Sequence, residues 1–319
     1  MRILFLGDGK WATLSLLKIL DSNEFEVIGV VLRYNNPDIK LKLLAEKNNI
    51  SVYMYKNIND KRFIEIMKEK KIDLGVSMSF DQIIKEDLRQ VARFGFINCH
   101  AGKLPNYRGR NIINWAIIND EKEIGITVHF IDNGIDTGDI IAQKAISITE
   151  EDNYGTLLEK VTYKCPEILY ESIIKIKNGN FERIKQDHIN GSYFSYRRMG
   201  DELIDWNWSS RRIYNFIRAL YEPSPGAQTY YKGEKIHVWE SQEIDYPIYI
   251  STPGEIIGKN NNGIIVKTGD SAIMINKVSD NIISEKYVPN FKIGERLGIN
   301  LYNKIIELQE EINDIKKSI

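Results

Sequence analysis

The chain has 319 residues, which is enough for two domains of ordinary size. Hydrophobic residues make up 43% and charged residues 27%, a balance typical of soluble globular proteins. The formal net charge of −1 gives no overall attraction to nucleic acid or to an anionic membrane. No apolar run approaches the roughly 20 residues that cross a bilayer, and the N-terminus enters a strand-like segment without a signal peptide. We therefore expect no membrane partner.

Cysteine and histidine usage limits redox and metal chemistry. Cys99 and Cys165 are the two cysteines, they form no CxxC motif, and the chain has four histidines. This composition argues against a disulfide framework and against a zinc or His-rich metal site. It fits a protein of the reducing cytoplasm.

The N-terminal half alternates between predicted strands and predicted helices. The strands are near-continuous runs of Val, Ile and Leu, which is typical of a parallel sheet covered by helices on both faces. We predict strands at residues 2–6, 27–32, 51–55, 74–78, 96–99, 127–130 and 140–146, and helices at residues 12–20, 39–48, 60–70, 111–118 and 154–178.

The pattern changes near residue 180. A polar and aromatic connection is followed by a helix at 209–220, and then by five short strands with glycine turns, which predict a small antiparallel barrel. We therefore expect an α/β fold with a Rossmann-like, mostly parallel sheet, followed by a small β-rich, OB- or barrel-like C-terminal domain. The expected divisions are a catalytic domain at 1–187, a connection at 188–208, a barrel-like domain at 209–300 and a charged amphipathic helix at 301–319.

Residues 7–12, GDGKWA, match the G-x-G-x-x-A fingerprint of dinucleotide-binding loops. That fingerprint also requires an acid at the end of the second strand, where this chain has Arg33, which suits the 2′-phosphate of NADP. The simplest alternative is a tight strand-to-helix turn. We favour a third interpretation, in which Lys10 and Trp11 face a ligand crevice at the carboxyl ends of the strands.

Asn98 and His100 lie two apart at the end of a predicted strand, so their side chains point to the same face. An amide can donate to a developing oxyanion, and an imidazole can take a proton from an attacking amine at neutral pH. A single histidine in a strand is nevertheless more often structural. Downstream, Asp136 in the IDTGD turn could orient His100 and stabilise its cation, or could simply form an Asx turn. Spacing alone cannot bring Asp136 to His100.

The stretch FINCHAGKLPNYRGRNIINWAI, followed by IGITVHFIDNGIDTGDIIAQ, resembles the catalytic core of the folate-dependent formyltransferases. Their pattern is N-x-H, a short loop with L-P and R-G, then G-x-T-x-H or G-x-T-x-x, then D-x-G-D. The resemblance implies that Asn98, His100 and Asp136 are the catalytic triad. It also implies N10-formyltetrahydrofolate as formyl donor, tetrahydrofolate as product, a primary amine as acceptor, and no metal. One departure is AGKLP after the histidine, where many relatives have S-L-L-P.

The resemblance also implies a folate crevice between residues 78–84 and the loop at 133–139, formed largely by main chain. The residues expected to contact folate are Met78, Phe80, Asp81, Ile83, Asn133, Gly134 and Asp139. The segment WNWSSRRIYNFIRALYEPSPGAQTYYKGEKIHVW resembles the start of the family's C-terminal domain, so the similarity covers about residues 1–300.

Three members of this superfamily compete as the best match. Glycinamide ribonucleotide formyltransferase has a single domain, which argues against it. Methionyl-tRNA formyltransferases resemble one another in a long basic insertion after the second strand, whereas this chain has the short connection VVLRYNNPDIKLKLLAEKNNISVYM. The net charge of −1 also supplies no average attraction to RNA. We therefore expect a nucleotide-linked sugar, most simply a dTDP-linked 3- or 4-amino-dideoxyhexose for surface polysaccharide (O-antigen, lipopolysaccharide), and no nucleic acid partner. The alternative is methionyl-tRNA formyltransferase.

Arginine suits bidentate phosphate binding, and aromatic side chains stack on bases. The side chains expected to contact the acceptor are Lys10, Trp11, Lys103, Tyr107, Tyr193, Arg197, Arg198, Asn215 and Arg218. Tyr196 lies with Tyr193, Arg197 and Arg198 in the connection at 188–208. We expect a homodimer, in which the second domain pairs subunits and the final helix is either a dimer element or a loose tail. Two interpretations from other classes are a catalytically silent folate- or nucleotide-binding protein and a Rossmann reductase.

Overall fold

A computed structural model describes residues 1–299 and 301–318 of the chain. These residues form two compact units. The N-terminal unit comprises Met1–Ala116, Glu121–Glu150 and Thr156–Tyr196, and the C-terminal unit comprises Ile117–Asp120, Glu151–Gly155 and Arg197–Ile319. Ile319, the last residue of the predicted final helix, lies outside the described residues. The domain divisions expected from the sequence stay a prediction.

The elements before residue 197 follow the predicted alternation. They are, in chain order, β1 (Arg2–Gly7), α1 (Gly9–Asp21), β2 (Glu26–Leu32), α2 (Ile39–Lys47), β3 (Val52–Met54), α3 (Lys61–Glu69), β4 (Leu74–Met78), α4 (Glu86–Arg89), β5 (Phe96–His100), β6 (Arg108–Gly109), α5 (Ile112–Ile118), β7 (Glu123–Phe130), β8 (Ile140–Ser147), α6 (Tyr154–Lys177) and β9 (Tyr193–Phe194).

Seven of these strands form one sheet in the order β3-β2-β1-β4-β5-β7-β8. The first five run parallel, and β7 and β8 continue the sheet antiparallel. Every residue of β4 is buried, as expected for a central strand covered on both faces. The expected mostly parallel, Rossmann-like sheet is therefore confirmed, and β5 lies between its parallel and antiparallel parts.

The C-terminal unit contains α7 (Ser210–Ala219), β10 (Ala227–Tyr231), β11 (Glu234–Glu243), β12 (Ile256–Asn260), β13 (Gly263–Lys267), β14 (Ala272–Ser279) and α8 (Leu301–Ser318). The strands form an antiparallel sheet in the order β10-β11-β14-β13-β12. Single bridges from Leu297 to Tyr231 and from Arg296 to Glu255 connect this segment to the two edges of the sheet, beside β10 and β12. The expected β-rich C-terminal domain is confirmed.

The hydrophobic core of the C-terminal unit lies between α7 and one face of the antiparallel sheet. Ile213 and Ile217 of α7 are buried in the same cluster as Val238, Ile264 and Ile275 of the strands. The hydroxyl of Ser209 caps α7 by accepting from the amide of Arg212. Among the helices of the described residues, we find none that is long and apolar enough to cross a membrane.

Candidate active site

The carboxyl end of β5 presents Asn98 and His100, as the sequence predicts. The antiparallel register of β5 with β7 places His129 directly opposite Asn98. The amide Nδ2 of Asn98 lies 3.4 Å from Nε2 of His129. His100 is 9% exposed and His129 is 2% exposed, so three polar side chains meet where water has little access.

Asp136 reaches both histidines from the loop before β8. Its Oδ2 lies 3.6 Å from Nδ1 of His100, and its Oδ1 lies 3.5 Å from Nε2 of His129. The backbone N–H of Gly109 donates to the same Oδ2 over 2.9 Å. The tertiary structure thus supplies the approach that sequence spacing could not. We call Asn98, His100, His129 and Asp136 the active-site cluster.

The surroundings of Asp136 favour its charged form. Burial by itself would raise the pKa of this carboxyl, but the positive charge of His100, the hydrogen bond and charge of His129, and the Gly109 N–H together outweigh burial. The pKa of Asp136 therefore lies well below its ordinary value of 3.8. The cluster keeps a carboxylate beside two imidazoles.

Hydrogen bonds to carbonyl groups orient both imidazole rings. Nε2 of His100 lies 2.7 Å from the carbonyl oxygen of Tyr107, and Nδ1 of His129 lies 2.8 Å from that of Phe130. A carbonyl oxygen only accepts, so these two nitrogens carry protons. The other nitrogen of each ring faces Asp136. Doubly protonated His100 can therefore donate on both sides.

Gly102 permits the contact between His100 and Tyr107. A Cβ at this position would lie 2.4 Å from Nε2 of His100 and 2.4 Å from the carbonyl oxygen of Tyr107. Atoms this close cannot coexist, so a side chain here would displace the imidazole. The glycine of AGKLP therefore makes room for the hydrogen bond of His100 in this chain.

The Asp136 loop is held by Gln186 from outside the motif. Asp136 has φ +54°, a left-handed conformation that is uncommon for residues other than glycine. Nε2 of Gln186 donates to the carbonyl oxygens of Asp136 and Gly138 over 2.9 and 2.7 Å. Oε1 of Gln186 accepts from Nη2 and Nε of Arg108 over 2.7 and 3.2 Å. Gln186 thus joins the loop to a buried guanidinium.

A cavity of about 490 Å³ lies beside the same loop. Its walls combine aromatic rings, arginines and carboxylates from Arg89, Arg93, Phe94, Phe96, Phe130, Asp132, Asp139, Phe181 and Arg183. This mixture suits a ligand with a flat aromatic part and polar edges. Of the residues that the sequence assigns to folate, Asp139 lines this cavity.

The other predicted folate residues lie near the ends of β4 and β7. Met78 ends β4 and is buried, Phe80 packs against the core, and Asp81 and Ile83 are exposed. Asn133 accepts a hydrogen bond of 2.5 Å from Nη2 of Arg89. The N–H of Gly134 donates to the Asp132 carboxylate over 3.0 Å, within the loop itself.

The predicted acceptor residues of the N-terminal unit already have partners in the described chain. Nζ of Lys10 donates to the Tyr163 hydroxyl over 2.9 Å, and half-buried Trp11 follows it in α1. Lys103 forms an ion pair with Glu123. Tyr107 stacks on Phe194 at 5.0 Å and donates from its hydroxyl to Glu121, and the Tyr193 hydroxyl accepts from Arg108 over 3.0 Å.

The predicted acceptor residues of the C-terminal unit divide into two groups. Nη2 of Arg197 donates to Ser224, while its buried Nε and Nη1 have no hydrogen-bond partner within residues 1–299 and 301–318. Arg198 is exposed. Asn215 and Arg218 are buried and bonded to each other over 2.9 Å, and Arg218 also donates to the carbonyl of Asp152 over 3.0 Å. We call Asn215, Arg218 and Asp152 the α7 cluster.

The glycine loop after β1 does not resemble an open phosphate site. The carboxylate of Asp38 accepts from the N–H of Gly9 at the start of α1 over 3.1 Å, where a pyrophosphate would bind. Arg33 pairs with Asp8 over 3.1 Å and donates to the carbonyl of Ser79. These contacts favour the tight-turn interpretation over a dinucleotide site.

Sequence reasoning missed His129, Gln186 and Arg108. His129 stands within the G-x-T-x-H pattern, so a signal for it was present. Gln186 and Arg108 meet across 78 positions of sequence, and no local pattern announces that pair. No group of three or more His, Cys, Asp or Glu side chains that could hold a metal occurs in the part of the chain that the structure describes.

Comparison with known proteins covers both units. A family model described as formyl transferase matches residues 1–173, and one described as formyl transferase, C-terminal domain, matches residues 198–284. The methionyl-tRNA formyltransferase of Acetivibrio thermocellus is 33% identical over 307 residues, which cover 92% of this chain and 98% of that protein. That of Clostridioides difficile is 34% identical over 286 residues, covering 87% and 92%.

Solved structures share the fold. A sugar 3N-formyl transferase, crystallised in the presence of dTDP and 5-N-formyl-THF, matches with a TM-score of 0.62 and 26% identity over 86% of this chain and 97% of its own. HypX from Aquifex aeolicus, in complex with tetrahydrofolic acid, matches with a TM-score of 0.58 and 19% identity over 87% of this chain. This chain spans only 44% of the HypX chain, and at that identity the likeness shows the fold alone.

These comparisons overturn the acceptor expected from the sequence. The preference for a nucleotide-linked amino sugar over methionyl-tRNA, with its role in surface polysaccharide, is wrong. Methionyl-tRNA formyltransferases match at 30–34% identity over most of the chain. The structure has the short connection between β2 and α2, but a single short segment does not decide which acceptor binds. The net charge is an average over the whole surface, whereas RNA binding depends on local clusters of positive charge.

Proposed function

The chain belongs to the formyl transferase family, and from this premise we propose that it transfers a formyl group to the amine of methionyl-tRNA. It is a folate-dependent formyltransferase with N10-formyltetrahydrofolate as donor. The observation that supports the tRNA acceptor is the length of the similarity. Relatives with that activity align over 92% of this chain and 98% of their own length, so the similarity extends through both units.

Asn98 and His100 carry the chemistry in this proposal. N10-formyltetrahydrofolate supplies a formyl group that is already activated on nitrogen. The Nδ2 group of Asn98 donates to the formyl oxygen as negative charge develops there, and protonated His100 places a positive charge beside it. His100 gives a proton to the departing nitrogen, and its ring recovers one from the attacking amine.

Asp136 and His129 hold the other two groups in position. The carboxylate of Asp136 stays charged, so it stabilises the imidazolium of His100 throughout the reaction. Nε2 of His129 lies 3.4 Å from Nδ2 of Asn98, and this contact limits how the amide can turn. His129 thereby acts as a positioning residue for Asn98.

The folate donor is assigned to the region between the end of β4 and the Asp136 loop. The cavity of about 490 Å³ borders this region only at Gly138 and Asp139 of the Asp136 loop, and its aromatic rings and arginines suit a flat ligand that ends in carboxylates. Met78, Phe80, Asp81, Ile83, Asn133, Gly134 and Asp139 remain the proposed contacts.

The acceptor contacts expected for a nucleotide sugar suit the end of an RNA equally well. Arginines bind phosphates, and tyrosines stack on unpaired bases. Arg197 supports this role best, since its buried Nε and Nη1 have no hydrogen-bond partner among the described residues. The other proposed contacts are Lys10, Trp11, Lys103, Tyr107, Tyr193 and Arg198, and the role of Asn215 and Arg218 in acceptor binding stays a prediction.

The proposed setting is the cytoplasm. Both cysteines of the chain are free and buried, as expected in a reducing compartment. Fractionation of cells that make the tagged protein would test this location, and recovery in a secreted fraction would contradict it.

A mass-spectrometric assay with N10-formyltetrahydrofolate tests the acceptor. Initiator methionyl-tRNA, uncharged tRNA and a panel of dTDP-, UDP- and GDP-linked amino sugars are compared. We expect the methionyl-tRNA to gain one formyl group and the uncharged tRNA to gain none. Formylation of a sugar nucleotide, with methionyl-tRNA left unmodified, would overturn the proposal.

A further inference from the structure

Helix α8 carries a stripe of exposed apolar side chains. Ile305, Leu308 and Ile312 are 63%, 45% and 46% exposed. Their spacing of three and then four residues places them on one side of an α-helix. The same spacing continues in the sequence at Ile315. A helix in water gains nothing from such a stripe unless another surface covers it.

The spacing is that of a coiled coil. Ile305 and Ile312 take the a positions of a heptad, and Leu308 takes the d position between them. Ile315 takes the next d position. Isoleucine at a with leucine at d, the arrangement of Ile305, Leu308 and Ile312, favours two parallel strands. The helix has 18 residues, which is about 27 Å at 1.5 Å per residue, and the seam from Ile305 to Ile315 takes up about 15 Å of it.

The charges of α8 are arranged for a copy of itself. Glu311 takes position g and Lys316 takes position e of the next heptad. In a parallel pair, position g of one helix faces position e of the other. Glu311 of each copy therefore meets the partner's Lys316, which gives two such contacts in the dimer. Two other ion pairs, Lys304 with Glu307 and Asp314 with Lys317, lie within the helix at 3.0 and 3.3 Å.

We propose that this protein forms a homodimer in which α8 pairs with α8 of a second copy as a parallel two-stranded coiled coil. The seam is self-complementary in both its apolar and its charged positions, which is what a twofold symmetric interface requires. The inference stands apart from the formyl transfer and its acceptor, because it concerns only the C-terminal helix.

The mass of the particle in solution tests the seam. Light scattering after size exclusion is measured over a range of concentrations for the full chain, for Leu308→Glu, for Ile312→Glu and for Ile306→Glu. Ile306 is the matched control, since it is 56% exposed on the same helix but takes position b, away from the seam. We expect dimers for the full chain and for Ile306→Glu, and monomers for the other two. A monomeric full chain, or dimers that survive both seam variants, would overturn the proposal.

A charge exchange tests the parallel direction. Glu311→Lys places two lysines opposite each other at every g–e′ contact, and Lys316→Glu places two glutamates there. Each variant alone is expected to dimerise more weakly than the full chain, and their mixture is expected to form the heterodimer, read by native mass spectrometry. If the mixture forms no more dimer than either variant alone, the parallel arrangement is wrong.

Discussion

The active-site cluster and the α7 cluster are both largely buried polar groups, but the contacts within them differ in length. In the active-site cluster the contacts of Asp136 with the two histidines, and of Asn98 with His129, measure 3.4–3.6 Å. In the α7 cluster the bonds of Arg218 measure 2.9 and 3.0 Å. Charged groups that lie close together without short hydrogen bonds to each other can still exchange protons or hydrogen bonds with a substrate. A network whose members are already joined by short hydrogen bonds mainly stabilises its own unit.

The backbone conformation also differs between the two clusters. Asn215 and Arg218 of the α7 cluster lie on a regular, capped helix, whereas Asp136 has a left-handed φ that other groups must hold in place. Strained residues of this kind persist where the surrounding structure fixes them, and they concentrate at functional sites. The comparison therefore predicts that changes in one cluster reduce turnover and changes in the other reduce stability.

The largest effect is expected at His100 and Asp136, the proposed catalytic pair. His100→Asn and Asp136→Asn should each lower kcat by about 10²–10⁴-fold, because proton transfer and its supporting charge are lost. Folate binding, measured by quenching of protein fluorescence, should remain. His237→Asn is the control, since this buried histidine of the C-terminal unit bonds to the carbonyl of Pro225. More than a tenth of the activity surviving in both variants would contradict the proposed roles.

A smaller effect is expected at Gln186. Gln186→Glu keeps the acceptor for Arg108 but places a carboxylate oxygen against the carbonyls of Asp136 and Gly138. Two hydrogen bonds at about 1 kcal/mol each are lost, so kcat should fall about 10–100-fold. The pH profile of kcat should also change, since Asp136 would lie differently against His100.

The neighbouring Asp187→Asn is the control for Gln186→Glu. The Asp187 carboxylate bonds to Ile189 and Asn190, outside the Asp136 loop. A Gln186→Glu protein with lowered melting temperature but with the wild-type kcat and pH profile would show that Gln186 serves the fold alone.

Stability should respond most at the α7 cluster. Asn215→Ala leaves the buried guanidinium of Arg218 without the amide acceptor at 2.9 Å, which should lower the free energy of unfolding by about 1–3 kcal/mol. Urea denaturation measures this change, and stability is expected to change by more than turnover. A weaker affinity for the acceptor with unaltered stability would instead support the substrate role expected from the sequence.

The smallest effect is the acid dependence of stability. The folded pKa of Asp136 lies below its ordinary value of 3.8, so its contribution to stability is fully present above that pH and is lost as pH falls through the folded pKa. The difference in unfolding free energy between the wild type and Asp136→Asn should therefore be constant near neutral pH and shrink below about pH 4. Denaturation curves across this range measure it, and a difference that does not shrink would contradict the lowered pKa.

Much of the fold was predictable because its signals are local. Runs of Val, Ile and Leu between amphipathic segments predicted the parallel sheet, and glycine turns between short strands predicted the antiparallel one. The pairing of Asn98 with His100 followed from the two-residue period of a strand. The acceptor was not predictable in this way, because a missing insertion and an average charge say little about where an RNA binds.

The sequence by itself determined the order of strands and helices, the N-x-H pair and the family that these motifs resemble. These features depend on residues close together in the chain. Only the tertiary structure decided that His129 lies opposite Asn98, that Asp136 reaches both histidines, and that Gln186 holds the Asp136 loop. Those contacts arise from strand register and loop closure, which depend on the packing of distant segments and leave no local pattern to read.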